Sequence, residues 1–297
     1  MKLCCFDGGR IGLIAGERII DVSDIAGATP GEWPPVGMVR MIGRIDGLRG
    51  ALDKAADRTG MALDSVRLEC PIEWPNKVIA FPANYHAHID EMVAANALIS
   101  AKPANGQGFF LKANSSLSGP ADPVYLPAID GREVHHECEM AIIIGRGGRD
   151  IAVDRAMGHV FGYACLIDFV VRGKEERVMR KSFDGFCPLG PYIVTADEIA
   201  AHDDIDLQLM VNGELRQLAN TRDLIVDIPH MIAMASSVMT LHPGDVIATG
   251  TPAGVAPVKG GDRVDISIAG VGAMSLAIVQ GDKGSHPVWT HDRFIPA

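Results

Sequence analysis

The chain has 297 residues, enough for one large or two ordinary domains with a substantial buried core. It carries 27 basic and 37 acidic residues, a net charge of -10, and no Lys/Arg cluster, which argues against nucleic acid as a partner. The six cysteines lack C-x-x-C spacing, the start has too short an apolar stretch for a signal peptide, and no apolar run predicts a membrane span. We therefore expect a cytoplasmic protein with reduced thiols and no membrane contact.

The first part of the chain, residues 1–70, is predicted to form a small α+β domain. The stretch "MKLCCFDGGRIGLIAGERIIDVSDI" alternates short strand-like runs with glycine turns. The stretch "MVRMIGRIDGLRGALDKAADRTG" then spaces its apolar residues as a helix does. The proline-bounded segment "LECPIEWPNKVIAFP" marks a boundary near Cys70.

The rest of the chain, residues 71–297, is predicted to form a larger, β-rich domain. One helix is expected near "AHIDEMVAANALIS" and a second at "IPHMIAMASSVM". The last part, from "PGDVIATG" to "MSLAIV", is typical of short strands joined by tight glycine turns. The fold class expected for the whole chain is α+β and rich in strands.

The segment "NYHAHIDEM" begins the first of these helices. His88 and Glu91 are three residues apart, so on a helix they share a face and the carboxylate can orient the imidazole. Such a pair can serve as a general base for water. The alternative is an ordinary surface pair near a helix start, and spacing alone favours it.

The segment "HHECEMAIIIG" presents two acids at the start of an apolar run. Glu137 and Glu139 share one face of a strand because successive strand side chains alternate. A third acid, Asp168, interrupts the apolar run "VFGYACLIDFVV", where a lone carboxylate is costly unless it is paired or bound to a metal. Three carboxylates suit Mg²⁺, Mn²⁺ or Ca²⁺ rather than zinc. The alternative is a solvated strand face, with Asp168 paired to Arg172 or Lys181.

Several common catalytic motifs are absent from the sequence. There is no G-x-S-x-G elbow and no P-loop, and Met140 stands where H-E-x-x-H would need its second histidine. "GRGGRD" lacks the third glycine of a dinucleotide fingerprint, so hydride transfer with NAD has no support.

An ordered set of motifs resembles the fumarylacetoacetate hydrolase family. These motifs are "NYHAHIDE", "FFLKANSSL", "HHECEMAIIIG", "FGYACLIDFVVRG", "KSFDGFCPLGP" and "GTPAGV", and they cover nearly all of the chain after Pro71. The resemblance implies a β-roll or mixed β-sandwich catalytic domain, preceded by the small N-terminal domain and assembled as a homodimer. It also implies an enzyme that uses Mg²⁺ or Mn²⁺, with Ca²⁺ as a further candidate, in the catabolism of aromatic compounds.

The resemblance also implies a role for each matching residue. Glu137, Glu139 and Asp168 would hold the metal, and His88 and Glu91 would activate water. Lys181 and Arg172 would supply positive charge near developing oxyanions. The positions expected to contact a keto-acid substrate are Tyr85, Lys112, Thr251 and Glu175.

The stretch after Asp168 departs from the family pattern. The family commonly reads D-x-x-x-R-D-x-Q, whereas this chain reads "DFVVRGKE", with Gly173 in place of the acid and Glu175 in place of the glutamine. An ionised Glu175 cannot donate a hydrogen bond, and its charge would oppose an oxyanion. Either Glu175 is protonated, or it turns away from the site, or the reaction is not hydrolysis.

Three functions are therefore weighed. The first is a metal-dependent hydrolase that cleaves a carbon–carbon bond in an acylpyruvate or fumarylpyruvate type of 2,4-dioxo acid. The second, favoured by Gly173 and Glu175, is an isomerase or decarboxylase acting on hydroxymuconate-type diacids or oxaloacetate. The third is a keto-acid-binding protein without catalysis, whose ligand binding would survive replacement of His88 and Glu91.

Overall fold

The computed structural model of the protein describes residues 1–94, 102–129 and 131–281. The strands of this part of the chain form three β-sheets, and helices pack against them. The strand-rich α+β fold predicted from the sequence is confirmed. The first predicted helix of the larger domain is described from His86 to Ala94, and the rest of its predicted length, 95–100, lies outside the described residues.

The first 70 residues contain both strands and helices. The strands are β1 (Lys2–Phe6), β2 (Arg10–Ala15), β3 (Arg18–Asp21), β4 (Met61–Ala62) and β5 (Leu68–Glu69). The helices are α1 (Ser23–Ala26), α2 (Gly37–Ile42) and α3 (Ile45–Ala55). The predicted helical stretch thus forms two helices, α2 and α3.

The following residues contain mostly strands. These are β6 (Val78–Ala80), β7 (Phe110–Lys112), β8 (Leu117–Ser118), β9 (Val124–Leu126), β10 (Val134–His135), β11 (Cys138–Ile144), β12 (Val160–Ile167), β13 (Val170–Val171), β14 (Cys187–Thr195), β15 (Asp206–Val211), β16 (Glu214–Asn220), β17 (Val246–Ala248), β18 (Pro257–Val258), β19 (Arg263–Ile268) and β20 (Gly272–Gln280). The helices are α4 (His86–Ala94), α5 (Ala104–Gln107), α6 (Arg177–Lys181) and α7 (Ile228–Val238).

The largest sheet joins strands from the first 70 residues to strands from the rest of the chain. Its strand order is β4-β3-β2-β1-β14-β12-β11-β17-β6-β7, with β5 paired to β1 and β8 paired to β14. Strand β1 runs antiparallel to β14, with Leu3 opposite Ile193. Strands from before and after residue 70 therefore belong to one sheet. The division into domains 1–70 and 71–297 stays a prediction.

Two smaller sheets complete the fold. Five strands in the order β16-β15-β19-β20-β9 form one of them, and β13-β10-β18 form the other. Helix α7 confirms the second predicted helix, and the carboxylate of Asp227 caps it by accepting a hydrogen bond from the His230 backbone N–H at 2.9 Å. Among the described residues, no helix has the length and apolar character that crossing a membrane requires.

Strand β11 is buried on both faces because its residues are apolar on both. Met140 and Ile142 pack into the core between the large sheet, the five-stranded sheet and α7. Ala141 and Ile143 pack into a second core, which the N-terminal strands and helices cover. A fully buried apolar side chain of this size contributes roughly 1.5–3 kcal/mol. An acid at the start of such a strand therefore meets protein rather than water, and Glu139 lies at that start.

Candidate metal centre and active site

A cavity of about 580 Å³ lies where β11 begins and β12 ends. Its lining comes from the segment after β6, helix α4, the start of β11, the turn after β13, helix α6 and the loop after β17. Most of the predicted site residues contribute to this lining. They are His88, Glu91, Glu137, Glu139, Asp168, Arg172, Lys181 and Thr251.

Three carboxylates form one side of the cavity, and we call them the acid wall: Glu137, Glu139 and Asp168. Cys138 stands opposite Ile167 in the β11–β12 ladder, and the Asp168 backbone N–H donates to the Glu137 carbonyl at 2.9 Å, so the strands bring the acids together. Only 7%, 2% and 0% of the three residues is exposed. Burial contradicts the alternative of a solvated strand face.

Two buried lysines neutralise part of the acid wall. Lys181 donates from Nζ to Glu137 Oε2 at 2.5 Å and to Asp168 Oδ2 at 2.6 Å. Lys112 lies behind Asp168 and donates to its Oδ1 at 2.5 Å and to the carbonyls of Lys181 and Phe186. Asp168 thus pairs with Lys181, as one alternative predicted, and also with Lys112. Such buried pairs persist because each charge has a partner and further hydrogen bonds.

Glu139 is the acid that the lysines do not reach. Its Oε2 accepts a hydrogen bond from the Gly250 backbone N–H at 2.7 Å. Burial and the nearby negative charge of Asp168 raise the pKa of the Glu139 carboxyl well above its usual range. Burial also acts on Glu137, but the charges of Lys181 and Arg172 outweigh it and lower the pKa of Glu137 to about 2. Among the described residues, no lysine or arginine forms an ion pair with Glu139, and the charge of Lys181 acts on it only from a greater distance.

The donor set of the acid wall fits a hard divalent cation. One carboxylate oxygen from each of the three acids lies within 4.8 Å of the others, and the set contains no nitrogen or sulfur. Mg²⁺ and Mn²⁺ prefer such oxygen ligands. A divalent ion among these oxygens would supply the positive charge that Glu139 lacks.

Gly250 needs to be glycine for two reasons. Its φ of +89° is a left-handed conformation, and a Cβ would come within 2.7 Å of the Asn84 Cβ and 2.8 Å of the Phe81 carbonyl oxygen. The buried amide of Asn84 donates to the Thr249 carbonyl at 2.8 Å. The "GTPAGV" loop is therefore held against the "NYH" segment, which directs the Gly250 N–H to Glu139.

His88 and Glu91 form the predicted pair on helix α4. Nδ1 of His88 lies 3.1 Å from Glu91 Oε2, and Glu91 Oε1 accepts from the Gly254 backbone N–H at 2.9 Å. His88 is buried and lines the cavity, so it is not part of an ordinary surface pair. Burial raises the pKa of Glu91, but the hydrogen bonds from His88 and Gly254 outweigh it and lower that pKa. An Nδ1–H donated to a charged Glu91 leaves Nε2 of His88 free to accept a proton.

Thr251 is held by a buried amide that the sequence did not predict. Gln217, on β16, donates from Nε2 to Thr251 Oγ1 and to the Pro252 carbonyl, both at 2.8 Å. Its Oε1 accepts from the Cys138 backbone N–H at 2.9 Å and from His136 Nδ1 at 3.0 Å. These contacts link the loop that carries Thr251 to the start of β11.

Another side of the cavity, which we call the arginine wall, consists of Arg172, Arg177 and Arg180. Arg172 donates from Nε to His135 Nδ1 at 3.0 Å. Arg177 donates to the Gln107 side-chain oxygen at 2.9 Å. Of the three, the sequence predicted only Arg172. The spacing of Arg177, Arg180 and Lys181 places them on one face of a helix, which is the signal that could have indicated the others.

Three predicted substrate-contacting residues lie outside the cavity lining. Tyr85 is buried, and its hydroxyl has no hydrogen-bond partner within the described ranges. Lys112 is behind Asp168. Glu175 turns away and forms a two-pronged ion pair with Arg132, with N–O distances of 2.7 and 3.0 Å. The hydrogen bond to Glu175 and its negative charge raise the pKa of the Arg132 guanidinium.

Comparison with known proteins gives a consistent result. The model of the fumarylacetoacetate (FAA) hydrolase C-terminal family matches residues 77–279. A maleylpyruvate hydrolase from Aquipseudomonas alcaligenes is 41% identical over 285 residues, which cover 94% of this chain and 99% of that protein.

Solved structures extend the comparison to the fold. The crystal structure of a maleylpyruvate hydrolase from Sphingobium sp. SYK-6, in complex with a manganese(II) ion and pyruvate, is 52% identical, with a TM-score of 0.86 and coverage of 95% of this chain and 100% of that chain. A 5-carboxymethyl-2-hydroxymuconate delta-isomerase from Mycobacterium smegmatis is 33% identical, with a TM-score of 0.73 and the same coverage of both chains.

Proposed function

The chain belongs to the fumarylacetoacetate hydrolase family, and we propose that it is a divalent-metal-dependent hydrolase of acylpyruvate-type 2,4-dioxo acids. It cleaves the bond between C3 and C4 and releases pyruvate and a carboxylic acid. The observation that carries the proposal is a cavity in which three buried carboxylates, within 4.8 Å of one another, share the lining with the His88–Glu91 pair. The similarity to two maleylpyruvate hydrolases supports it.

Glu137, Glu139 and Asp168 would hold Mn²⁺ or Mg²⁺. A divalent ion there supplies positive charge to the carboxylate and 2-oxo oxygens of the substrate, where negative charge develops as the bond breaks. Lys181 adds a second positive charge beside Glu137 and Asp168. The hydroxyl of Thr251 donates to the substrate carboxylate, and Arg172 lies near the developing oxyanion.

The proton transfers are assigned to His88 and Glu91. Nε2 of His88 takes a proton from water while the water oxygen bonds to C4 of the substrate. Glu91 stabilises the imidazolium that forms, and Gly254 keeps its carboxylate in position. The C3–C4 bond then breaks, the electron pair passes into the pyruvate enolate, and C3 regains a proton from the imidazolium. Water is consumed, and no oxidant is required.

A second candidate is an isomerase or decarboxylase of hydroxymuconate-type diacids or oxaloacetate. The observation that favours it is the position of Glu175, whose carboxylate is held by Arg132 outside the cavity lining. Position 175 therefore does not supply the glutamine amide donor that the family usually has near the oxyanion. The 33% identity to an isomerase is consistent with this candidate.

A substrate panel tests both candidates. Wild-type protein with Mn²⁺ or Mg²⁺ is incubated with acetylpyruvate, maleylpyruvate, fumarylpyruvate, a hydroxymuconate-type diacid and oxaloacetate, and products are identified by mass spectrometry. We expect pyruvate plus an acid from at least one acylpyruvate, and a loss of about 100-fold in kcat for His88→Asn. Carbon dioxide or a migrated double bond as the sole product would support the second candidate. No turnover of any acylpyruvate would refute hydrolysis.

We also propose Mn²⁺ or Mg²⁺ as the working ion and a cytoplasmic homodimer as the working form. The metal preference is determined by removing bound metal with a chelator, reloading the protein with each ion and measuring the activity. Sedimentation velocity at several protein concentrations tests the dimer.

A further inference from the structure

The turn between β13 and α6 is organised by a partly buried ion pair. Arg132 contacts Glu175 through both of its Nη atoms, and its Nη1 also donates to the Arg172 carbonyl at 2.8 Å. Only 16% of either charged side chain is exposed. Arg132 therefore joins both ends of the segment 172–175 in one contact.

Gly173 leaves the space that this ion pair fills. A Cβ at position 173 would overlap Nη1 of Arg132 and Oε2 of Glu175. The two departures from the family pattern, Gly173 and Glu175, are thus one structural change, and Arg132 completes it. With any residue larger than glycine at 173, the ends of the Arg132 and Glu175 side chains would have to shift from this arrangement.

The ion pair holds the turn that carries Arg172 and that Arg180 contacts. Arg180 donates from Nε to the Glu175 carbonyl at 2.7 Å and from Nη1 to the Val171 carbonyl at 3.2 Å. Arg172 uses Nε for His135. Nη2 of Arg180 and both Nη atoms of Arg172 have no hydrogen-bond partner in the part of the chain that the structure describes, and both side chains line the cavity. These donors are available to a ligand.

The charge of the cavity lining indicates what that ligand carries. The lining has four carboxylates, from Glu91 and the acid wall, and four cations, from Lys181 and the arginine wall. A divalent ion on the acid wall leaves two positive charges, and Lys112 behind it adds another. The Arg132–Glu175 pair is neutral. A substrate with two carboxylates lowers this charge from three to one, whereas a monocarboxylate lowers it only to two and offers no second carboxylate to the guanidinium groups.

We propose that Arg132, Gly173 and Glu175 form a positioning unit that holds Arg172 and Arg180 for the second carboxylate of a dicarboxylic 2,4-dioxo acid. None of the three reacts with substrate. The unit selects acylpyruvates whose acyl end carries a carboxylate over those with a neutral acyl end. This inference rests on the proposed function for one point only, that the 2-oxo acid end of the substrate binds at the acid wall.

Two probe ligands of equal chain length test the positioning unit without turnover. 2-Oxoglutarate and 2-oxopentanoate have the same carbon chain and the same 2-oxo acid end, and only the first has a second carboxylate. Isothermal titration calorimetry with the Mn²⁺-loaded protein should give binding of 2-oxoglutarate at least about tenfold tighter. Arg132→Met should reduce this ratio to within about twofold while the affinity for 2-oxopentanoate changes by less than about twofold.

Two further variants control the experiment. Arg58→Met removes an arginine from an exposed ion pair with Asp24, at 3.0 Å, and should leave the ratio unchanged. Glu175→Gln removes the charge but keeps an acceptor for Arg132, so it should fold even where Arg132→Met does not, and should reduce the ratio about threefold. The proposal is refuted if Arg132→Met and Glu175→Gln weaken both ligands equally or leave the affinity ratio of 2-oxoglutarate to 2-oxopentanoate unchanged. It is also refuted if the wild-type protein binds both ligands equally. A wild-type protein that discriminates but hydrolyses no acylpyruvate refutes the proposed function and supports the positioning unit.

Discussion

The acid wall and the arginine wall line the same cavity, but different structures support them. The acid wall lies at the start of β11 and directly after β12, two neighbouring strands of the largest sheet, and its residues are almost wholly buried. The arginine wall lies on a turn and on α6, a helix of five residues, and side-chain hydrogen bonds hold it. The region proposed to hold the metal is thus built into the core, and the region proposed to recognise the variable end of the substrate is built on the surface.

Short surface elements cost less to rearrange than core strands. Opening β11 would expose apolar residues on both of its faces, whereas the outward residues of α6, Val178 and Met179, are already 45% and 43% exposed. A substitution of Arg177 or Arg180 in the arginine wall should therefore change substrate choice at little cost in stability. A substitution in the acid wall should remove the activity altogether.

The largest expected effect is at Glu139. Glu139→Gln keeps the size of the side chain and one acceptor for the Gly250 N–H but removes a charged oxygen from the metal site. We expect kcat/KM to fall at least about 1000-fold, or roughly 4 kcal/mol, and the Mn²⁺ affinity to fall with it. The metal-free protein should keep its stability, because glutamine has the size of the uncharged carboxyl that burial and the charge of Asp168 favour at this position.

Titration calorimetry with Mn²⁺ measures the metal affinity, and melting curves with and without Mn²⁺ measure the stability of the two forms. Glu214→Gln, at an exposed carboxylate paired with Arg216, is the matched control and should retain the Mn²⁺-induced rise in melting temperature. Normal Mn²⁺ affinity in Glu139→Gln would contradict the assignment of the acid wall as the metal centre.

The two walls also differ in how far the sequence predicts them. Two acids one step apart on a strand, and a third inside an apolar run, are local signals that made Glu137, Glu139 and Asp168 candidates, and the family resemblance then favoured a metal site over a solvated strand face. The i, i+3 spacing of His88 and Glu91 is local as well. The strands predicted from alternation and the helix α7 were found for the same reason, since each depends on a few neighbouring residues.

The contacts that span long sequence distances could not be predicted. Arg132 and Glu175 are 43 residues apart, and Gln217 is 34 residues from Thr251 and 79 from Cys138. The sequence showed that Glu175 departs from the family pattern, but not that Arg132 neutralises it. The pairing of β1 with β14 was hidden for the same reason, because register between distant strands depends on the folded chain.

A smaller effect, on the pH dependence of stability, is expected at His136, the residue before Glu137 of the acid wall. His136 is fully buried, and burial lowers its pKa to about 4 although its hydrogen bond to Gln217 acts in the opposite direction. The unfolded chain, with a histidine pKa of about 6.5, takes up this proton as the pH falls below 6.5, whereas the folded protein does not until about pH 4. Stability is therefore lost as the pH falls through this window.

Urea unfolding at pH 7 and pH 5 measures that loss. His136 should account for about 2 kcal/mol of the difference in unfolding free energy between the two pH values. His136→Gln should lose about 2 kcal/mol less unfolding free energy between the two pH values than the wild type. His230→Gln, at an exposed histidine, should lose as much as the wild type. Equal losses in all three proteins would show that His136 is not held neutral behind the acid wall.

The smallest expected effect concerns the link between the acid wall and the substrate. Because Thr251 Oγ1 accepts from Gln217, its own hydroxyl hydrogen is free to point into the cavity as a donor. Gln217→Met leaves the Cys138 N–H without its acceptor, at a cost of roughly 1–3 kcal/mol, and lets the Thr251 hydroxyl turn.

We expect Gln217→Met to raise KM for an acylpyruvate about tenfold, or roughly 1.4 kcal/mol, with kcat changed less than about threefold. Thr251→Val, which removes the hydroxyl itself, should raise KM by a similar factor, and the double variant should be no worse than Thr251→Val. Additive effects would mean that Gln217 acts through β11 rather than through Thr251. The rigid acid wall would then contribute to recognition directly, and its separation from the arginine wall would be less complete than their structures indicate.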